Sequence, residues 1–186
     1  MAKRQCGSCT LCCKVLGNAA LKKPLGAWCA HCQPGQGCAI YESRPQECRK
    51  FTCAWLADES LGEEWYPRKS KIVLTYDRDR VVAHVDPGAP DAWRKQPYFT
   101  VLNQMMQAGL AQGRLVYAAI NEQHVLLLPD RQESLGPLAE ADEVELATIA
   151  RPGGLEYRVA VKRGRPAEID AGLSPPRMQH DHEQKS

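Results

Sequence analysis

The residues Cys6-Gly-Ser-Cys9-Thr-Leu-Cys12-Cys13 open a cysteine-rich segment that ends at Cys53. This segment holds every cysteine of the 186-residue chain: Cys6, Cys9, Cys12, Cys13, Cys29, Cys32, Cys38, Cys48 and Cys53. It is short and poor in large apolar side chains, so it cannot build a hydrophobic core alone. Small modules of this kind are normally stabilised by a bound metal or by disulfides.

The sequence favours metal ligands over disulfides. The first residues, 1–6, carry charge but no apolar segment follows them, so they are not expected to form a signal peptide. No stretch approaches the ~18 apolar residues that a membrane span needs. We therefore expect a cytoplasmic protein without a membrane segment, and cysteines stay reduced in that compartment. The odd count of nine agrees, because nine cysteines cannot all pair.

The spacing of the cysteines indicates two metal equivalents. Thiolates are soft ligands that suit zinc, copper(I) or iron–sulfur clusters, and a Cys-x-x-Cys turn can supply two ligands to one ion. That spacing occurs three times, at Cys6/Cys9, Cys9/Cys12 and Cys29/Cys32. The adjacent pair Cys12-Cys13 chelates a single ion poorly because neighbouring side chains diverge, so we expect it to serve two ions or to bridge within a cluster. Eight thiolate ligands and one spare thiol follow, with zinc as first choice and iron or an iron–sulfur cluster as second.

The same segment carries a family pattern. The CxxCxxCC string is followed by Cys29, by Gly37-Cys-Ala-Ile-Tyr-Glu-Ser-Arg-Pro45, and by Cys48 and Cys53. This pattern resembles the YkgJ-type CxxCxxCC cysteine-cluster family, whose members are described as zinc- or iron-chelating proteins. The resemblance implies metal ligation by Cys6, Cys9, Cys12, Cys13, Cys29, Cys38, Cys48 and Cys53. Cys32 lies outside the family pattern and is therefore the expected spare thiol.

Three side chains between the ligands are candidates for a supporting role: Tyr41, Arg44 and Arg49. They could donate hydrogen bonds to thiolate sulfurs and so tune metal affinity. The alternative is that Tyr41 packs and Arg44 pairs with Glu47.

The histidines and two acidic residues are expected to be ordinary. His31 is interpreted as a loop residue rather than a ligand. His84 and His124 fall on predicted strands, and Asp86 and Asp91 are interpreted as turn or cap residues. The remaining two, His180 and His182, stand in a polar tail.

Short elements are expected within the cysteine segment. Residues 5–16 form either a turn followed by a helix or one short helix, and residues 17–28 read as a linker. A turn-rich stretch follows. Ser43 can cap a helix that begins near Pro45. Cys48 and Cys53 are about 140° apart around a helix, so we expect the helix to break between them.

The second part of the chain predicts strands and one main helix, in the order β-β-α-β-β-β-β. Three hairpins are expected, and a helix from Pro97 should end near Gly109 or Gly113. The fold class is therefore α+β: a small irregular cysteine-rich region followed by an antiparallel sheet with one main helix. The expected domains are residues 1–66 for metal binding, 67–165 for the sheet and 166–186 for a disordered tail. The strand ranges of the hairpins are 71–77 with 80–86, 114–121 with 124–129, and 144–150 with 155–161.

Three functions remain open from the sequence. The first is a metal-binding protein, with no catalytic residue assigned. The second is an iron or iron–sulfur redox or modification enzyme, since flagellin lysine methylases carry a related cysteine arrangement. The chain has no glycine-rich or P-loop motif that would indicate S-adenosylmethionine or nucleotide binding. The third is a zinc-stabilised nucleic-acid module, disfavoured because the net charge is only +2. Its basic residues would be Lys14, Lys22, Lys23, Arg49 and Lys50.

Overall fold

The computed structural model describes residues 4–77, 79–139 and 141–164, and the fold is α+β, as predicted. The chain divides into two compact units between Leu138 and Ala139. This division differs from the expected domain boundary after residue 66, because the cysteine segment belongs to the same unit as the sheet that follows it. The expected tail, residues 166–186, with His180 and His182, lies outside the described residues.

The chain begins with a turn followed by a helix, which is one of the two predicted alternatives. The Cys9 N–H donates to the Cys6 carbonyl at 2.9 Å, and helix α1 follows at Cys12–Val15. A small antiparallel ladder of β1 (Cys32–Gln33) and β2 (Gly37–Cys38) then stands where only turns were expected.

Helix α2 spans Gln46–Lys50, so the predicted helix after Pro45 is confirmed, as is its end before Cys53. The predicted Ser43 cap is wrong. The cap position is Pro45 and no side chain bonds to it; Ser43 instead closes a turn through its N–H to the Ile40 carbonyl at 3.0 Å. Pro45 has no side-chain acceptor for the first N–H groups of the helix, and its carbonyl accepts the Arg49 N–H at 3.1 Å.

Short helices connect the cysteines to the hydrophobic core. They are α3 (Ala54–Ala57), a 3₁₀ turn at Glu63–Trp65 and α4 (Pro67–Ser70). Trp55 and Trp65 are both buried in this region. Arg4 stacks over the Trp55 ring at 4.9 Å and donates to the carbonyls of Trp55, Asp58 and Leu61 at 2.6–2.8 Å. These bonds satisfy carbonyls at the end of α3 and hold the residues that precede Cys6.

The main sheet has five strands in the order β3-β4-β5-β6-β7. The first two predicted hairpins are confirmed as β3–β4 and β5–β6. The β4–β5 pair is parallel, so the sheet is mixed rather than fully antiparallel. A parallel neighbour requires a crossover, and helix α5 provides it. The bounds are β3 Ile72–Tyr76, β4 Arg80–Val85, α5 Tyr98–Leu110, β5 Leu115–Ile120, β6 Gln123–Leu127 and β7 Gln132–Pro137.

The core lies between α5 and one face of this sheet. Leu102 and Met106 are almost fully buried on the helix face predicted to be apolar, and burial of each contributes on the order of 2 kcal/mol. Gly109 permits the chain to turn closely from α5 into β5: a Cβ there would stand 2.8 Å from the Arg114 carbonyl oxygen. Trp93, in a 3₁₀ turn before α5, is also fully buried in this core.

The second unit is the third predicted hairpin, which is confirmed. Strands β8 (Glu143–Arg151) and β9 (Gly154–Lys162) form a two-stranded antiparallel sheet of their own. On one face apolar residues such as Val144 and Val161 stand opposite each other, and on the other face Lys162 forms a diagonal ion pair with Glu145 at 2.5 Å. Among the described residues, no helix has the length and apolar character to cross a membrane.

Candidate metal centre

A cavity of about 720 Å³ is lined by eight cysteines. They are Cys6, Cys9, Cys12, Cys13, Cys29, Cys38, Cys48 and Cys53. Cys32 is the one described cysteine that does not line it. The lining therefore contains the same eight residues that the family resemblance names as ligands.

Short elements bring these cysteines together from distant parts of the segment. The first turn places Cys6 and Cys9, and the single helical turn of α1 presents Cys12 and Cys13. The backbone N–H of Cys29 donates to the carbonyl of Cys13 at 3.0 Å, which holds the second Cys-x-x-Cys turn against α1. The last three lie on β2, on α2 and at the N-cap of α3: Cys38, Cys48 and Cys53.

The thiols fall into two groups according to which thiols neighbour one another and which pack against the hydrophobic core. The Cys6 and Cys9 thiols both interact with Cys53, and Cys9, Cys12 and Cys53 pack in or against the hydrophobic core. We define the first thiol group as Cys6, Cys9, Cys12 and Cys53. Cys12, which also hydrogen-bonds with Cys13, is assigned to this group by packing.

The second thiol group surrounds Cys48, whose neighbours are Cys13, Cys29 and Cys38. We define the second thiol group as Cys13, Cys29, Cys38 and Cys48. Cys13 also interacts with Cys6 and Cys9, so it stands between the two groups.

Burial, joined by repulsion between neighbouring thiols, favours the protonated form of five of these cysteines. Burial is the main cause that raises the pKa of Cys6, Cys9, Cys48 and Cys53. A hydrogen bond with Cys12, followed by burial, raises the pKa of Cys13 far above the ordinary thiol range. The cavity therefore lacks enough positive charge to hold several thiolates by itself. A bound cation reverses this balance, because a coordinating thiol is deprotonated.

Cysteine sulfurs are ligands that suit a soft metal, although they do not already surround a common ion position. All nine cysteines are free thiols. Within the described part of the chain, no group of three or more histidine, cysteine or acidic side chains is already arranged to hold an ion. Coordination therefore has to draw the thiols closer together, and the cavity leaves room for that movement. Eight thiols in one cavity match zinc or iron–sulfur ligation in number and type.

The three predicted supporting residues Tyr41, Arg44 and Arg49 all line this cavity. The Arg44 guanidinium lies 3.6 Å from the Tyr41 ring centre, donates to the Tyr41 carbonyl at 3.3 Å, and lowers the cost of charge on Cys6. Within the described part of the chain Arg44 makes no ion pair with Glu47, and its Nε is buried without a hydrogen-bond partner. Arg44 is thus a free N–H donor on the cavity wall.

Sequence reasoning missed two residues that contact the second thiol group, Asn18 and Lys23. They stand in the stretch that was expected to be a linker. The Asn18 Nδ2 donates to the Cys48 sulfur at 3.3 Å, and the Lys23 ammonium interacts with Cys29, Cys13 and Cys48. The available signal was Asn18 itself, since asparagine often opens a turn by accepting a nearby backbone N–H. Here its Oδ1 accepts the Leu21 N–H at 2.9 Å.

Residues set aside as ordinary take structural roles. His31 is exposed and outside the cavity lining. His84 bonds to Thr75 at 3.0 Å, and burial lowers the pKa of His84 to about 4. The His124 Nδ1 lies 2.9 Å from the carbonyl oxygen of Glu122.

The two aspartates hold local structure. Asp86 accepts the Gly88 N–H at 2.9 Å, as expected for a turn residue, and also binds Lys14 at 2.5 Å. Asp91 precedes a 3₁₀ turn but makes no side-chain cap; it pairs with Arg94 at 3.2 Å.

Two of the five basic residues that could contact a nucleic acid form contacts within the protein. Lys14 is mostly buried in its pair with Asp86, and Lys23 donates to three backbone carbonyls. Two of the five basic side chains therefore do not present their charge to an external phosphate.

Comparison of the chain with protein-family models, with curated proteins and with solved structures finds no match.

Proposed function

We propose that the protein is a cytoplasmic metal-binding protein that holds two thiolate-ligated metal equivalents, zinc being the first choice. The cavity lined by eight free thiols is the observation that supports this proposal most. The first thiol group would hold one equivalent and the second group the other. Cys13, which neighbours both groups, is placed to join them.

A zinc ion bound by thiolates would supply positive charge to the cavity and would cross-link the elements that carry its ligands. Ligation joins α1, α2, β2 and the start of α3, which belong to a segment with few apolar side chains. Because an unfolded chain offers no preformed site, the binding free energy stabilises the folded state of this segment.

A zinc titration of the reduced, metal-free full chain against a chromophoric chelator tests the proposal. We expect a break at two equivalents, and far-UV and near-UV circular dichroism should show ordering of the cysteine segment on binding. A matched control is Cys32→Ser, which should keep both equivalents, whereas Cys48→Ser should lose one. A wild-type chain that takes no zinc from the chelator would contradict the proposal.

The size of the cavity favours one second candidate, an iron–sulfur or iron-dependent enzyme. At about 720 Å³ the cavity falls within the range of small-molecule sites, about 300–1,000 Å³. Its wall also includes apolar side chains such as Leu16, Ile40 and Leu56. This candidate predicts a brown, oxygen-sensitive protein after anaerobic purification. A colourless anaerobic preparation that carries only zinc would exclude it.

A further inference from the structure

The turn formed by residues 18–23 lies against one of the two thiol groups. Asn18 and Lys23 face each other across it, and each backbone N–H donates to the other's carbonyl at 2.9 Å. The Asn18 Oδ1 is occupied by the Leu21 N–H. This leaves Nδ2 as the free end of the amide, and Nδ2 donates to the Cys48 sulfur at 3.3 Å.

The Lys23 ammonium is held by backbone carbonyls that flank this turn. It donates to the carbonyls of Lys14 and Pro24 at 3.0 Å each, and also to the carbonyl of Leu16. In that position it interacts with four thiols, three of which belong to the second group: Cys29, Cys13, Cys12 and Cys48. A positive charge is thus held beside thiols that carry negative charge once they bind a metal.

On the basis of the proposed function, we propose that Asn18 and Lys23 are positioning residues that set the metal affinity of the second thiol group alone. Four thiolates around a divalent ion leave a net charge of −2. An amide N–H on one sulfur and an ammonium beside three of the four lower the energy of that charge. The first thiol group has no corresponding contact with this turn except through Cys12.

The consequence is an asymmetry between the two metal equivalents. Loss of a group that hydrogen-bonds a metal ligand typically weakens metal affinity by about 10–100-fold. Loss of the Asn18 donor or the Lys23 charge should therefore weaken one equivalent by about that factor. The other equivalent should keep its affinity.

Three single substitutions that each change the net charge by −1 separate this effect from general electrostatics. Asn18→Asp keeps an oxygen for the Leu21 N–H but replaces the donor to Cys48. Lys23→Met removes the ammonium at similar length. Lys22→Met is the matched control, because Lys22 is an exposed neighbour in the same turn. Lys23→Arg keeps the charge and serves as the rescue variant.

The experiment is a Co²⁺ and Zn²⁺ titration of each reduced, metal-free full chain, read by sulfur-to-cobalt charge-transfer absorption and by chelator competition. We expect Asn18→Asp and Lys23→Met to bind one equivalent as the wild type does and the other about 10–100-fold more weakly, with a shifted charge-transfer band for that equivalent. Lys22→Met and Lys23→Arg should match the wild type.

Two results would overturn the inference while leaving the proposed function intact. One is that Asn18→Asp and Lys23→Met match Lys22→Met in both affinities and in the spectrum. The other is that they weaken both equivalents equally. A wild-type chain without any thiolate–cobalt absorption would overturn the proposed function, and this inference with it.

Discussion

Metal uptake at pH 7 should release about eight protons from the chain, about four for each zinc. The perturbation is saturation of the reduced, metal-free protein with zinc. Five of the eight cavity thiols have raised pKa values, from burial or from the Cys12–Cys13 hydrogen bond, so they are protonated at pH 7. Even an ordinary thiol, with a pKa of about 8.5, is only a few per cent ionised at that pH. Each ligand must therefore lose nearly one whole proton when it binds.

The release of four protons per zinc also determines how the zinc affinity depends on pH. Protons compete with the metal for every thiolate, so lower pH weakens binding. With four protons displaced per ion, the apparent affinity of each site should fall by up to about 10⁴-fold for each unit of pH below the thiol pKa values. The slope should flatten as the pH rises toward those values.

The assay is a zinc titration in very dilute buffer with a pH indicator, or calorimetry in two buffers of different ionisation enthalpy. Cys32→Ser is the control and should release the same number of protons, since Cys32 does not line the cavity. Release of two or fewer protons per zinc would contradict ligation by four protonated thiols, because either the thiols would already be ionised or fewer of them would bind.

Further predictions concern single residues and the metal-free state. Cys13→Ser should remove about one metal equivalent by elemental analysis, whereas Cys32→Ser should leave the stoichiometry unchanged; equal losses would contradict the division into eight ligands and one spare. The unfolding free energy of the metal-free chain, measured with urea, should be independent of thiol ionisation below pH ~8.5 and should fall as the pH rises above it. The reason is that the folded thiols have raised pKa values, so the unfolded thiols ionise first. Bound zinc should abolish this loss of stability at high pH. A urea-unfolding midpoint of the metal-free chain that does not change with pH would contradict the prediction. Asp86→Asn should lower the unfolding free energy by about 1–3 kcal/mol, because it leaves the mostly buried Lys14 charge unpaired. Asp91→Asn removes an exposed ion pair and should lower it by less than about 0.5 kcal/mol. Similar losses in the two variants would argue against the role of burial.

Local patterns in the sequence predicted the regular elements well. The runs that became β3 and β4 are rich in β-branched residues, and the apolar stripe that includes Leu102 and Met106 marks α5. Strand β7 was missed because Gln132–Pro137 is polar and contains both a glycine and a proline. The parallel pairing of β4 and β5 was missed because it depends on the path of α5 across the sheet, which no local pattern records.

The cysteines that line the candidate site could be predicted from the sequence, and the residues around them could not. Cysteine type and spacing carry the chemistry, so the eight cavity thiols could be named from the sequence. The contacts of Asn18 with Cys48 and of Lys23 with Cys29 arise from a turn that folds back on the cluster. The Asn18–Cys48 contact joins residues 30 positions apart in the chain. Both contacts are set by tertiary packing, and a linker composition gave no indication of them.

Elemental analysis and a visible spectrum of the full chain, purified anaerobically without added metal, test directly whether the eight cavity thiols bind metal. We predict about two metal equivalents per chain, carried as zinc in a colourless protein. Reduced protein that carries essentially no zinc or iron would contradict the claim that this cavity of eight thiols is a metal centre.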